Sequence, residues 1–262
     1  MNPDEFNAVT AVKPLCVFVH GWGMNQAIWQ PVIDSLPPWI ESLAVDLPGH
    51  GSAASREFLD LDDLVDALFS HVDRPAIWVG WSMGGLAVLK LALDYPTKVQ
   101  AMMLVSSSPC FVRREDWLQG MPPGLFDDFA AELEVDYDGT IRRFLSLQVK
   151  DSAQGRQLLK QLRQQVLQQP PANIHALRAG LEVLKNTDLR AQVPLLTMPL
   201  AIALGERDGL VNADSAELFN RHLPAADIQV YAQAAHAPFL SHLPVFTAQL
   251  LQLVNHVHDT KN

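Results

Sequence analysis

A chain of 262 residues with 48% apolar content is long enough and apolar enough for one large α/β domain with a packed core. Its net charge of −10 excludes general nucleic-acid binding, which needs a basic face to displace phosphate counterions. Cys16 and Cys110 lack a C-x-x-C spacing, so neither a disulfide framework nor a metal site is indicated, and both read as small buried hydrophobes. The early acids Asp4 and Glu5 and the shortness of the first apolar run give no signal-peptide or membrane-span pattern, so a cytoplasmic location with no membrane partner is expected. A monomer is the default expectation.

In chain order, the first predicted strand is Leu15 to Val19, followed by the glycine-flanked turn His20-Gly21-Trp22-Gly23. Only fourteen residues precede this strand, so an amino-terminal hairpin is expected to be short or missing. A second strand, Ser42 to Val45, leads into Asp46-Leu47-Pro48-Gly49-His50-Gly51-Ser52, and helical spacing returns over Leu59 to His71. The third strand, Ala76 to Val79, runs into Gly80-Trp81-Ser82-Met83-Gly84 and a helix from Met83 to Asp94. A fourth follows at Met102 to Val105. From Phe111 to about Lys185 the alternation stops, and helical periodicity without a convincing strand reads as a helical lid over the strand ends. The pattern then resumes with strand Leu200 to Leu204, helix Ser215 to His222, strand Ile228 to Tyr231 and helix Pro244 to Val257. Strand-helix alternation of this kind predicts a mostly parallel central sheet flanked by helices. The expected division is a core of residues 1–110 and 186–262 with a lid of residues 111–185.

G-x-S-x-G between a strand and a helix has the context of a nucleophile elbow, in which a strained serine projects from the carboxyl edge of the sheet. Ser82 is therefore the candidate nucleophile. A serine hydroxyl needs a base, and the base needs an acid to orient it. Asp208, in Gly205-Glu206-Arg207-Asp208-Gly209, and His236, in Ala234-Ala235-His236-Ala237-Pro238-Phe239, each follow a different predicted strand and supply that pair. Asp208 also reads as a turn-forming aspartate and His236 as a core histidine. Asp188, near the end of the lid segment, is the alternative acid. Backbone amides that stabilise an oxyanion are expected from Met83 at the helix start and from Trp22, whose flanking glycines allow close approach. His20 is expected to brace that loop. No metal or organic cofactor is required by this constellation.

Together these motifs resemble the α/β-hydrolase superfamily over nearly the whole chain. A narrower resemblance, to the pimeloyl-acyl-carrier-protein methyl ester esterases of biotin synthesis, lies in His20 to Gly23, Gly80 to Gly85, Ser107-Ser108-Pro109-Cys110-Phe111, Arg143-Phe144-Leu145-Ser146-Leu147-Gln148 and Ala234 to Phe239. It implies hydrolysis of a methyl ester on an acyl-carrier protein bearing a methyl-pimeloyl chain. In keeping with that, Trp22, Trp81, Phe111 and Phe144 are candidates to line an apolar slot, although aromatic residues at such positions also serve as core packing.

Between Gly139 and Arg163 six cations face the single acid Asp151, on a chain that is acidic overall. The stretch reads either as a docking face for an acidic carrier, with Arg143, Arg156 and Lys160 foremost and Arg142 and Arg163 as supplements, or as an ordinary solvated helix face. Gly139 and Thr140 carry no charge where a longer basic row would begin. The rival functions are a general short-chain carboxylesterase or carbon-carbon bond hydrolase using the same triad, and, from another class, a non-catalytic ligand-binding protein of the same fold. Dehalogenase and epoxide hydrolase chemistry is disfavoured, because those relatives place aspartate where this chain has Ser82.

Overall fold

A computed structural model describes residues 12–150, 152, 155–167 and 169–259. The expectation of a short or missing amino-terminal hairpin falls mainly on residues 1–11, which lie outside the described residues, as does the acid Asp151 of the basic stretch. Among the described residues six strands form one parallel sheet: β1 (Leu15–Val19), β2 (Glu41–Val45), β3 (Ala76–Trp81), β4 (Val99–Val105), β5 (Leu200–Gly205) and β6 (Asp227–Tyr231), in the order β2-β1-β3-β4-β5-β6. β1, β3 and β5 are buried along their whole length, as apolar runs covered on both faces must be. The edge strands β2 and β6 are largely half-buried or exposed.

The helices are α1 (Gln30–Ser35), α2 (Leu61–Phe69), α3 (Met83–Asp94), α4 (Gly124–Val135), α5 (Tyr137–Leu147), α6 (Gly155–Leu167), α7 (Ile174–Asn186), α8 (Ala216–His222), α9 (Pro238–Ser241) and α10 (Leu243–Asp259). α2 and α3 pack together, with α3 on β3 and β4, while α1 packs with α10, which lies on β4 and β5. α4 to α7 are inserted between β4 and β5, where the alternation lapses, and their first helix begins only at Gly124. The preceding segment is instead a loop with isolated bridges, Cys110 to Asp188 and Val112 to Met121.

Predicted and observed elements differ mainly at their ends, and the differences have local causes. α2 is shorter than the expected Leu59 to His71 because Asp60 caps it, its side chain accepting from the Asp63 amide, while Leu59 lies exposed. β3 continues past Val79 through Trp81, because Gly80 and Trp81 stay in register with Leu104 and Val105 of β4.

From β1 the chain moves outward to β2 and then returns to the other side of β1 to form β3. The strand order therefore reverses between β1 and β3. Ligands of open α/β sheets bind outside the carboxyl ends of the strands at such a switch point. Here the turns that follow β1 and β3 meet: a Cβ on Gly21 would stand 3.1 Å from the Cβ of Ser82.

Candidate active site

Ser82 sits between β3 and α3 with φ 55° and ψ −121°, a conformation that side chains rarely adopt. The reversal brings strand and helix so close that a Cβ on Gly80 would lie 2.6 Å from Gly85 Cα, and one on Gly84 2.3 Å from the His20 carbonyl oxygen. The turn is held from the next strand, with Ser82 N donating to Val105 O at 2.9 Å and Ser107 Oγ donating to Ser82 O at 2.8 Å. Fixed contacts of this sort are what can sustain a strained backbone.

Asp208 follows β5 and His236 follows β6. His236 Nδ1 lies 2.8 Å from Asp208 Oδ2, and neither side chain is exposed. The other carboxylate oxygen accepts from the amides of Leu210 at 2.8 Å and Val211 at 3.0 Å, so Asp208 is an acceptor on both sides. That arrangement assigns the proton to Nδ1 of His236, with Nε2 left as the basic nitrogen. Among the described residues Nε2 has no hydrogen-bond partner although it is buried. Such an atom is costly unless it has a use.

The turn after β1 is braced by histidines. His20 Nδ1 donates to Gly21 O at 2.8 Å while its Nε2 accepts from Leu47 N at 3.0 Å. His50 Nε2 accepts from Gly23 N at 3.2 Å, with its Nδ1 donating to Pro48 O at 2.9 Å. Both rings are fully buried, and burial depresses both pKa values, that of His50 from 6.5 to about 3. Asp46 ties the neighbouring loop down by accepting from Gln26 N at 2.6 Å and Ser52 N at 2.8 Å. Among the described residues, no hydrogen bond within these turns engages the amides of Trp22 or Met83. The part of His50 was invisible in the sequence, since its partner Gly23 is 27 residues away.

A model of the alpha/beta hydrolase fold matches residues 14–243. The chain belongs to the alpha/beta hydrolase family. It is 39% identical over 251 residues, 96% of this chain and 98% of the relative, to a pimeloyl-[acyl-carrier protein] methyl ester esterase of Vibrio vulnificus. An enzyme of that name from Shewanella woodyi is 40% identical over 241 residues, covering 91% of this chain and 93% of the relative. An esterase structure from Exiguobacterium antarcticum superposes with a TM-score of 0.83 at 21% identity, covering 92% of each chain, which is a likeness of fold.

Beside Ser82 this alpha/beta hydrolase has a small apolar cavity of about 40 Å³. Trp22, Phe111 and Phe144 line it as expected. Trp81 does not. As the last residue of β3 it is turned into the core, where its indole Nε1 donates to His236 O at 2.8 Å and its ring packs on Phe239. The cavity wall is completed by Phe126 and Phe129 of α4, Leu181 and Leu184 of α7, and Met121, Leu125 and Leu210. The spacings of the α4 and α7 pairs were a readable sign of one apolar helix face. A larger surface cleft of about 540 Å³ is bordered by Asp116, Arg190, Asp214 and Arg221 and contains none of Ser82, Asp208 or His236.

Asp188, the alternative acid, is engaged elsewhere. It pairs with Arg190 Nη2 at 2.7 Å and Arg114 Nε at 3.3 Å, and the hydrogen bond from Arg190 holds its carboxyl below the ordinary range. Arg143 on α5 is exposed, ion-paired with Glu132 and stacked over the Phe129 ring. Arg156 and Lys160 are exposed on α6, one turn apart, and Arg142 and Arg163 are exposed as well.

Proposed function

We propose that the chain is a serine carboxylesterase that hydrolyses the methyl ester of a pimeloyl chain carried on an acyl-carrier protein, releasing methanol. The observation that carries this reading is the wholly buried pair of His236 Nδ1 and Asp208 Oδ2 at 2.8 Å, with Nε2 unclaimed, in a site that also holds the strained Ser82. The substrate is taken from the shared name of relatives that match nearly the whole chain.

In this mechanism Ser82 Oγ bonds to the ester carbonyl carbon, its proton passes to His236 Nε2, and the carbonyl π electrons move to oxygen. The amides of Trp22 and Met83 hold that oxyanion, each worth about 3–4 kcal/mol of barrier. Collapse expels methoxide, which takes the proton from Nε2 and leaves as methanol. Water then attacks the acyl-serine, giving its proton to Nε2, and the regenerated hydroxyl of Ser82 recovers it as the free carboxyl departs. Asp208 stays ionised throughout and stabilises the imidazolium.

α4 to α7 act as a lid in this reading. The cavity of about 40 Å³ falls far short of the roughly 300 Å³ or more usual for organic ligands, so the helices that supply Phe126, Phe129, Phe144, Leu181 and Leu184 must move to admit a pimeloyl chain. Arg143, Arg156 and Lys160, exposed on α5 and α6, give an acidic carrier a docking face on the lid. The test is methanol release from methyl-pimeloyl acyl-carrier protein and from free dimethyl pimelate, at low and high salt, with Ser82→Ala as the blank. Fast, salt-sensitive turnover of the carrier-bound ester supports the reading. Turnover of the free ester alone reduces it to a general esterase.

A further inference from the structure

Each amide assigned to the oxyanion belongs to a peptide gripped at its other end. The planar peptide that carries the Trp22 N–H also carries the Gly21 carbonyl, and the one that carries the Met83 N–H carries the Ser82 carbonyl. Gly21 O accepts from His20 Nδ1 at 2.8 Å and from Met24 N at 3.2 Å. Ser82 O accepts from Ser107 Oγ at 2.8 Å and from Leu86 N at 3.1 Å. The two peptides come from different turns, yet each carbonyl takes one buried side-chain donor and one backbone amide. His20 is held in the donating tautomer because its Nε2 accepts from Leu47 N.

We propose that His20 and Ser107 are positioning residues of the oxyanion hole, each orienting and polarising the peptide whose N–H meets the developing charge. A donor on the carbonyl draws electron density from the peptide nitrogen and makes its N–H the stronger donor, a cooperative gain of roughly 10–30% per bond. Where water is excluded, that gain is not diluted. Neither side chain lines the cavity, so both act through backbone. The proposal rests on the assignment of the Trp22 and Met83 amides as the oxyanion donors.

A trifluoromethyl ketone labelled with carbon-13 at its carbonyl tests it. Ser82 Oγ bonds to the ketone carbon, the Oγ proton moves to His236 Nε2, and the π electrons settle on oxygen as a hemiketal oxyanion whose pKa is read from the carbon-13 shift across pH. Ser107→Ala deletes one hydroxyl and leaves Leu86 N on Ser82 O. His20→Gln sets an amide at the Nε2 position and loses the donor to Gly21, whereas His20→Asn sets its N–H near Nδ1 and keeps that donor. Ser107→Ala and His20→Gln are expected to raise the hemiketal pKa by about one unit and to lower kcat about tenfold with KM unchanged. His20→Asn is expected to stay near wild type in pKa. Lower melting temperatures with hemiketal pKa and kcat at wild-type values would show mere braces and overturn the proposal. Should Ser107→Ala fail to fold, the contrast between the two His20 variants decides alone. Absence of a Ser82 adduct in the wild-type protein would instead overturn the reading of the site, and the proposal with it.

Discussion

The indole of Trp81 donates to the backbone carbonyl of His236 at 2.8 Å, so the residue just before Ser82 fixes the loop that bears the histidine. The side chain predicted to touch substrate is thereby committed to the support of the site. Trp81→Phe keeps a ring against Phe239 but leaves the buried His236 carbonyl without this donor. Stability is expected to fall by about 1–3 kcal/mol. With His236 less firmly held, kcat drops about tenfold, short of the hundredfold or so that a 1 Å misplacement costs. Urea unfolding and steady-state kinetics check both, and a change in KM with kcat intact would return Trp81 to the substrate wall.

Asp208→Asn replaces an acceptor with a group that can present N–H to His236, favouring the wrong tautomer. A fall in kcat of about 10⁴ is expected. Asp188→Asn is expected to leave kcat unchanged, because its arginine partners keep it from the histidine. The reverse ranking of the two variants would reassign the acid.

The buried pair His20 and His50 gives stability a defined pH dependence. Burial lowers both pKa values, that of His50 from 6.5 to about 3. Below pH 6.5 the unfolded chain takes up protons that the folded chain refuses, so stability falls as pH drops from about 6.5 towards 3, by at most about 1.4 kcal/mol per pH unit per histidine. Above pH 7 the effect vanishes, both states being neutral. Unfolding midpoints between pH 7.5 and 5 should fall steeply in the wild-type protein and less steeply in His50→Gln, and equal slopes would mean that His50 takes up its proton in the native state as readily as in the unfolded chain.

The exposed cations of α6 carry a prediction of specificity. Reversing both Arg156 and Lys160 to glutamate should lower kcat/KM for the carrier-bound ester about tenfold at low salt, with the difference shrinking as salt rises. Hydrolysis of the free ester should be unaffected. Equal losses on both substrates would point to a damaged lid and not to a lost docking face.

The sheet is legible in the sequence because its strands are buried on both faces and read as unbroken apolar runs, Leu15 to Val19 being the clearest. Strand ends mark Ser82, Asp208 and His236 as candidates, since each follows a different run. The preference for Asp208 over Asp188 becomes physical only when Arg114 and Arg190 are seen on Asp188, contacts that local spacing does not encode. Whether Trp81 faces the slot or the core is not legible locally, because its orientation depends on how far β3 continues beside β4, a matter of register between strands. The contributions of His50 and Ser107 were hidden for a related reason, as each bonds to backbone 27 or 25 residues away.

Gly180 on α7 tests how tightly the helical insertion holds the proposed oxyanion donors. A Cβ at this position would lie 2.7 Å from Trp22 Cδ1 and 3.0 Å from Met83 Sδ, touching the side chains of the two residues whose amides are assigned to the oxyanion. Trp22 has little room to yield. Its ring is buried, its Nε1 donates to Leu177 O at 2.7 Å one turn earlier on the same helix, and the Phe144 ring packs against it in a T-shaped pair with centroids 4.6 Å apart. In the helix interior alanine has the better propensity by roughly 1 kcal/mol, so the backbone itself would welcome Gly180→Ala. Overpacking costs about 1–3 kcal/mol and outweighs that gain, so net destabilisation is expected with a fall in kcat as the Trp22 turn shifts. If α7 in the closed, ligand-free state has slack to shift by a few tenths of an ångström, the substitution would raise stability and leave kcat intact. Thermal unfolding beside kcat on the free methyl ester separates a helix clamped on the turn from one that yields.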